Sequence, residues 1–113
     1  MDITFQKKYL KNYANDDRKG IRKLGSKRHK IFKQRLDQLK ASKTLEDLRH
    51  QPGHFHELKE DRKGQWACDL DQPYRLIFSP QEDPIPIDKD GKYIWLEIKG
   101  IEIIEIKNYH KEK

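Results

Sequence analysis

Apolar positions in the first 50 residues recur every three or four residues, and beyond residue 54 the period shortens to two. Ile3-Thr4-Phe5 is short and β-prone, which predicts an edge strand. Tyr9, Leu10 and Tyr13 then predict a helix over Lys7 to Ala14. Asn15-Asp16-Asp17 breaks that helix and offers a cap for the next one, Arg18 to Leu24. Gly25-Ser26 reads as a stop followed by a new N-cap. The best helix follows over Lys27 to Ser42, with Ile31, Phe32, Leu36 and Leu39 on one stripe. Thr44 and Asp47 have the spacing of a capping box, and Leu45 and Leu48 are the apolar contacts of the short turn it opens.

Pro52-Gly53 is a turn. Phe55 and Leu58 flank His56-Glu57, and the runs Gln65 to Leu70 and Tyr74 to Phe78 are β-prone. Asp71-Gln72-Pro73 between them predicts a tight hairpin, while three prolines and a glycine make Ser79 to Lys92 a loop. Ile94 to Ile106 alternates, with a slip of phase at Ile103-Ile104 that predicts a β-bulge or a residue buried on both faces. Helices first and strands afterwards predict an α+β fold. A single domain over residues 1–113 would pack its N-terminal helices on one face of a small antiparallel sheet.

With 34% hydrophobic and 39% charged residues, a modest core must lie beneath a strongly charged surface. No apolar run is long enough to cross a membrane, and the first residues lack the apolar stretch of a secretory signal. Cys68 has no partner for an intrachain disulfide, so a reducing, cytoplasmic setting is expected, with the thiol a small buried hydrophobe rather than a nucleophile. Charge is divided unevenly. Residues 1–50 carry 15 Lys+Arg against 6 Asp+Glu, and the remainder carries 10 against 13. A basic half favours an anionic partner, nucleic acid above all.

The chain has no phosphate loop, dinucleotide fingerprint, zinc-finger spacing or helical metalloprotease motif, and no cofactor is expected. His54 and His56 alternate and would point the same way from a strand, which is half a metal site without a second half; no metal is expected. More informative is the interleaving of basic and aromatic residues in His56-Glu57-Leu58-Lys59-Glu60-Asp61-Arg62-Lys63-Gly64-Gln65-Trp66, Tyr74-Arg75 and Asn108-Tyr109-His110. Neighbouring strands lie only ~5 Å apart, so a sheet can gather these groups. Cations suit the charge that develops in phosphoryl transfer, His and Tyr can move protons, and Tyr or Trp can stack on an unpaired base. The competing account is cross-strand pairing of the basic residues with Asp61, Asp69 or Asp71 and simple aromatic packing.

The same segments resemble a known family. Leu45-Glu46-Asp47-Leu48-Arg49, Pro52-Gly53, His56-Glu57-Leu58-Lys59, Asp61-Arg62-Lys63-Gly64-Gln65-Trp66, Pro73-Tyr74-Arg75-Leu76-Ile77-Phe78 and the terminal Tyr109-His110 are similar to the HigB-type, plasmid-maintenance-killer branch of the RelE/ParE toxin superfamily, over roughly residues 17–110. The resemblance implies the toxin of a type II toxin–antitoxin pair, an endoribonuclease that cuts mRNA in the ribosomal A site. It also implies a helix-turn-helix, HigA-type antitoxin as partner and operator DNA reached through the antitoxin complex. Carried over by position, Lys59, Arg75, Tyr109, His110 and His56 are the expected catalytic residues and Arg62 an expected RNA contact, to which the interleaved basic and aromatic pattern adds Lys63, Asn108 and Trp66. Two positions depart from the pattern: Asn108 stands where the family often has Asp, and Glu60 where it often has Gly. A non-enzymatic gyrase poison on the same fold, and a degenerate toxin serving as a regulatory binding module, are the alternative readings.

Overall fold

The computed structural model describes residues 1–109. Strand β1 (Asp2–Phe5) is followed by helices α1 (Lys8–Asn15), α2 (Asp17–Leu24) and α3 (Ser26–Ala41), then by strands β2 (His56–Glu57), β3 (Trp66–Asp69), β4 (Tyr74–Pro80) and β5 (Gly100–Asn108). The sheet order is β1-β5-β4-β3-β2. The chain is α+β, with the helices on one face of a five-stranded mixed sheet. Three of the four pairings are antiparallel, as expected; β1 instead joins β5 in parallel, with Ile3 opposite Ile101. These strands come from opposite ends of the chain, so no hairpin signal could announce their pairing.

Local chemistry sets the boundaries. The Asp16 side chain accepts from the Lys19 amide (3.2 Å) and caps α2. Gly25 adopts a φ of +85°, available to glycine without steric cost, and reverses the chain between α2 and α3. The cap of α3 is therefore Gly25, and Ser26 is the first helical residue rather than the cap. Thr44 and Asp47 form the capping box of the 3-10 helix Leu45–His50, as the spacing predicts.

Leu10, Phe32, Leu36 and Leu39 from the helices meet Trp66, Cys68, Leu76, Phe78, Ile101 and Ile103 from the sheet in one core. Ile31 only borders it, and the buried His29 holds a place on the helical stripe that sequence periodicity did not give it. The expected bulge is present. Phe78 pairs with Ile103 and Ile77 with Glu105, so Ile104 is the extra residue. Before it the odd residues Ile101 and Ile103 face the core; after it Ile106 does.

The strand expected over Ile94 to Ile106 is shorter than the alternation implies. Trp95–Glu97 forms a 3-10 turn, and β5 begins only at Gly100. Trp95 turns inward, edge-to-face with Trp66 at 5.6 Å, and the Ile98 carbonyl accepts from the Leu45 amide at 3.1 Å. Leu96 is left 62% exposed. This segment closes the side of the core under the Leu45–His50 helix, and that demand overrides its strand-like pattern.

Candidate functional site

Period two along the strands divides their side chains between the helical face and an open face. Trp66, Cys68, Leu76 and Phe78 point to the helices. The alternate residues Asp69, Arg75 and Lys107 form one cross-strand row on the open face, and His56, Ala67, Ile77 and Glu105 form the next. Ala67 and Ile77 are fully buried yet outside the helix-side core, so they floor the site.

Arg75 is the centre of this face. Its Nε lies 3.5 Å from Asp69 Oδ1, and its guanidinium carbon lies 4.5 Å from the centroid of the Tyr109 ring. Tyr109 follows β5 directly, and its amide donates to the Pro73 carbonyl (3.2 Å), tying the strand end to the β3–β4 turn. Its hydroxyl oxygen is buried without a hydrogen-bond partner among the described residues. Asp69 Oδ1 also lies 3.6 Å from His54 Nδ1, so one carboxylate faces both His54 and Arg75.

His56 stacks on His54 with ring centroids 4.0 Å apart and planes 16° from parallel. His56 Nδ1 lies 2.7 Å from the His54 carbonyl and must donate to it, which leaves Nε2 as the free ring nitrogen. Burial depresses the His56 pKa below the ordinary histidine value; the hydrogen bond to His54 opposes this, and the charges of His54 and Arg75 add to the depression. The imidazole is thus a neutral proton acceptor at physiological pH. His54 holds a φ of +54° and Glu60 one of +58°. Left-handed backbone at a non-glycine residue costs roughly 1–3 kcal/mol and tends to gather at functional sites. Here the two positions bracket His56 to Lys59.

Lys59 opens the 3-10 turn Glu60–Arg62 and, with Leu58, Asp61, Arg62, Lys107 and Tyr109, lines a groove of about 380 Å³, so one carboxylate stands among its cations. Arg62 spans that groove: Nη1 donates to Gln65 Oε1 (2.8 Å) and Nη2 to Glu105 Oε2 (2.7 Å). Lys63 lies on the other side of the turn, its Nζ 5.6 Å from the Tyr93 ring centroid. Asn108 pairs with Tyr74, and alternation puts it on the face opposite Tyr109.

Trp66 is the clear correction. Its side chain is completely buried against Trp95, with the Arg49 guanidinium 4.9 Å above the ring, so no base can stack on it. Arg49 is itself held protonated by Glu46 and Glu57. His110 lies outside the described residues. Sequence reasoning passed over Lys107; it met His54 only as half a metal site and Asp69 only as a cross-strand partner of basic residues, and the Arg75–Asp69 contact is a pairing of that kind. For Lys107 the signal was there: it lies two residues before Tyr109 on the same strand, so alternation gives both the same face. Burial raises the Cys68 thiol pKa far above its usual value and keeps it inert. No group of three or more His, Cys, Asp or Glu among the described residues is placed to hold a metal ion. No helix among them is long and apolar enough to cross a membrane.

This arrangement of helices and sheet is shared with solved toxin structures. The YoeB-YefM complex from Staphylococcus aureus contains a chain 17% identical, with a TM-score of 0.57 over 95% of this chain and 94% of that one. The YoeB/ParE toxin from Agrobacterium tumefaciens is 12% identical, with a TM-score of 0.51 over 96% and 98%. At such identities the likeness establishes the fold, that of a small α+β toxin. No curated protein matches the chain. Residues 3–88 match the HigB-like toxin family, the RelE-like toxin of the type II toxin-antitoxin system HigB. The chain belongs to that family.

Proposed function

We propose that this toxin is a metal-independent endoribonuclease that cuts mRNA in the ribosomal A site and so stops translation. The observation that carries the reading is the Arg75–Tyr109 stack on the same open face as His56, whose Nε2 is free and whose imidazole is neutral. His56 Nε2 takes the proton of a ribose 2′-OH. The 2′ oxygen attacks its own 3′ phosphorus, the bond to the 5′ oxygen breaks, and that oxygen receives a proton from Tyr109 or His110. The products are a 2′,3′-cyclic phosphate and a 5′-OH. The guanidinium fork of Arg75 matches two phosphate oxygens, and Lys59 and Lys107 add the positive charge that a metal ion would otherwise supply. Arg62 joins them if phosphate competes with Glu105 for its fork.

A cognate helix-turn-helix antitoxin of HigA type would neutralise the toxin and carry it to operator DNA. The test is induction without antitoxin, followed by mapping of message ends. Growth arrest with new 5′-OH ends on translated messages is expected. Arrest with intact messages and DNA damage would replace this reading by the gyrase-poison one.

A further inference from the structure

Lys59 is shared by two cavities. The groove toward Tyr109 is the one described above. On the other side Leu58 and Lys59 also wall a second cavity of about 370 Å³, onto which His56 and the Arg49–Glu57 ion pair open and which Glu60, Lys63, Gly64 and Tyr93 complete. Each volume is on the scale of one nucleotide, and the shared wall makes them neighbours along one path. Each also presents a tyrosine beside a cation: Tyr109 with Arg75, and Tyr93 with Lys63. Tyr93 is positioned from behind by Trp95, ring centroids 5.1 Å apart, and from the 81–94 loop by the Ile87–Tyr93 bridge.

Glu60 is the unexpected member. It is exposed, and its φ of +58° would suit glycine far better. Its carbonyl accepts from the Lys63 amide (3.1 Å) and closes the 3-10 turn, which accounts for the backbone; its carboxylate makes no ion pair among the described residues and is left to the cavity it lines.

We propose that this second cavity is a subsite for an unpaired nucleotide adjacent to the scissile one, with Tyr93 as its stacking wall, Lys63 near its phosphate and Glu60 selecting guanine. The inference rests on the ribonuclease reading above. A carboxylate only accepts hydrogen bonds, and guanine is the base that offers two adjacent donors, N1–H and the 2-amino group, to its two oxygens. Adenine and cytosine offer one amino group. Uracil flanks its single N–H with two carbonyls that repel the carboxylate.

The experiment measures binding of single-stranded 2′-O-methyl trinucleotides, one base varied at a time, to the intact toxin, alongside cleavage-site mapping on a translated message. Guanine at one position should bind at least about tenfold more tightly than uracil. Glu60→Gly should abolish that preference, with a melting temperature no lower than wild type because the left-handed backbone then suits the residue. Tyr93→Ala should weaken all four bases by on the order of tenfold or more, and Tyr93→Phe should restore them. A guanine preference that survives Glu60→Gly, or a cleavage pattern unmoved by both Glu60→Gly and Tyr93→Ala, overturns the subsite while leaving the ribonuclease intact. A wild-type toxin that cuts no message removes the underlying reading instead.

Discussion

The guanidinium of Arg75 and the ring of Tyr109 stack at 4.5 Å, although 33 positions separate them in the chain. The contact brings the start of β4 and the residue that follows β5 to one point on the open face. Arg75→Ala is expected to lower message cleavage by ~10²–10³-fold, because lysines alone cannot reproduce a preorganised fork. Antitoxin binding and the urea midpoint should stay close to wild type. Continued growth arrest by Arg75→Ala at matched expression would remove Arg75 from the chemistry.

Tyr109→Phe separates the ring from the hydroxyl. The ring keeps its stack on Arg75, while a buried hydroxyl without a partner among the described residues is deleted. Leaving such a group unsatisfied costs about 1–3 kcal/mol, so the variant should be as stable as wild type or more so. Cleavage should nonetheless fall. Full activity in Tyr109→Phe would restrict the residue to holding Arg75.

The depressed His56 pKa predicts two pH effects. As a general base it must be neutral, so cleavage falls as pH drops through its folded pKa, below the ordinary value of 6.5. For stability, the folded state binds fewer protons than the unfolded state between the two pKa values. The contribution of His56 to stability is therefore complete above about pH 6.5 and is lost as pH falls through the folded pKa. Single-turnover rates and thermal midpoints of wild type and His56→Ala between pH 5 and 8 check both; identical pH profiles would rule His56 out as the base.

Gly20→Ala reverses the usual helix rule. Alanine in a helix interior is normally worth up to ~1 kcal/mol over glycine. Here a Cβ would strike the His29 ring and sit 2.7 Å from the Tyr13 carbonyl, where α1, α2 and α3 converge. A loss of about 1–3 kcal/mol is expected in denaturant unfolding. A more stable variant would mean that His29 gives way freely.

The basic N-terminal half predicts charge-steered assembly with an antitoxin. Arg18, Lys19, Arg22 and Lys23 crowd α2, and Lys27 and Lys30 continue onto α3. The association rate should fall as salt rises from 50 to 500 mM on the scale set by the Debye length, with a smaller change in dissociation. A salt-independent association rate would mean that this face is not used.

Much of the fold was legible because its signals are local. The Thr44-Asp47 box, the Asp71-Gln72-Pro73 hairpin and the phase slip at Ile103-Ile104 each depend on a few adjacent residues. The parallel β1–β5 pair was not, since its partners lie about a hundred positions apart. Nor was the inward turn of Trp95, which answers to Trp66 and to the Leu45–His50 helix rather than to its own neighbours. The site divided in the same way. Arg75 and Tyr109 came from motif, and Lys107 was available from alternation. Trp66 misled because an aromatic beside basic residues has the same pattern whether it faces RNA or the core.

The extra residue in β5 has a bearing on how the gene can vary. Loss of the codon for Ile104 would leave Ile103 opposite Phe78 and Glu105 opposite Ile77, an uninterrupted ladder with every later side chain on its present face. Loss of the codon for Glu105 would let Ile104 take the place opposite Ile77 and would also keep Tyr109 on its present face, at the cost of the carboxylate to which Arg62 Nη2 donates. The bulge is thus a spare residue that lets this strand lose one codon without turning its last side chains over, and a second loss has no such reserve.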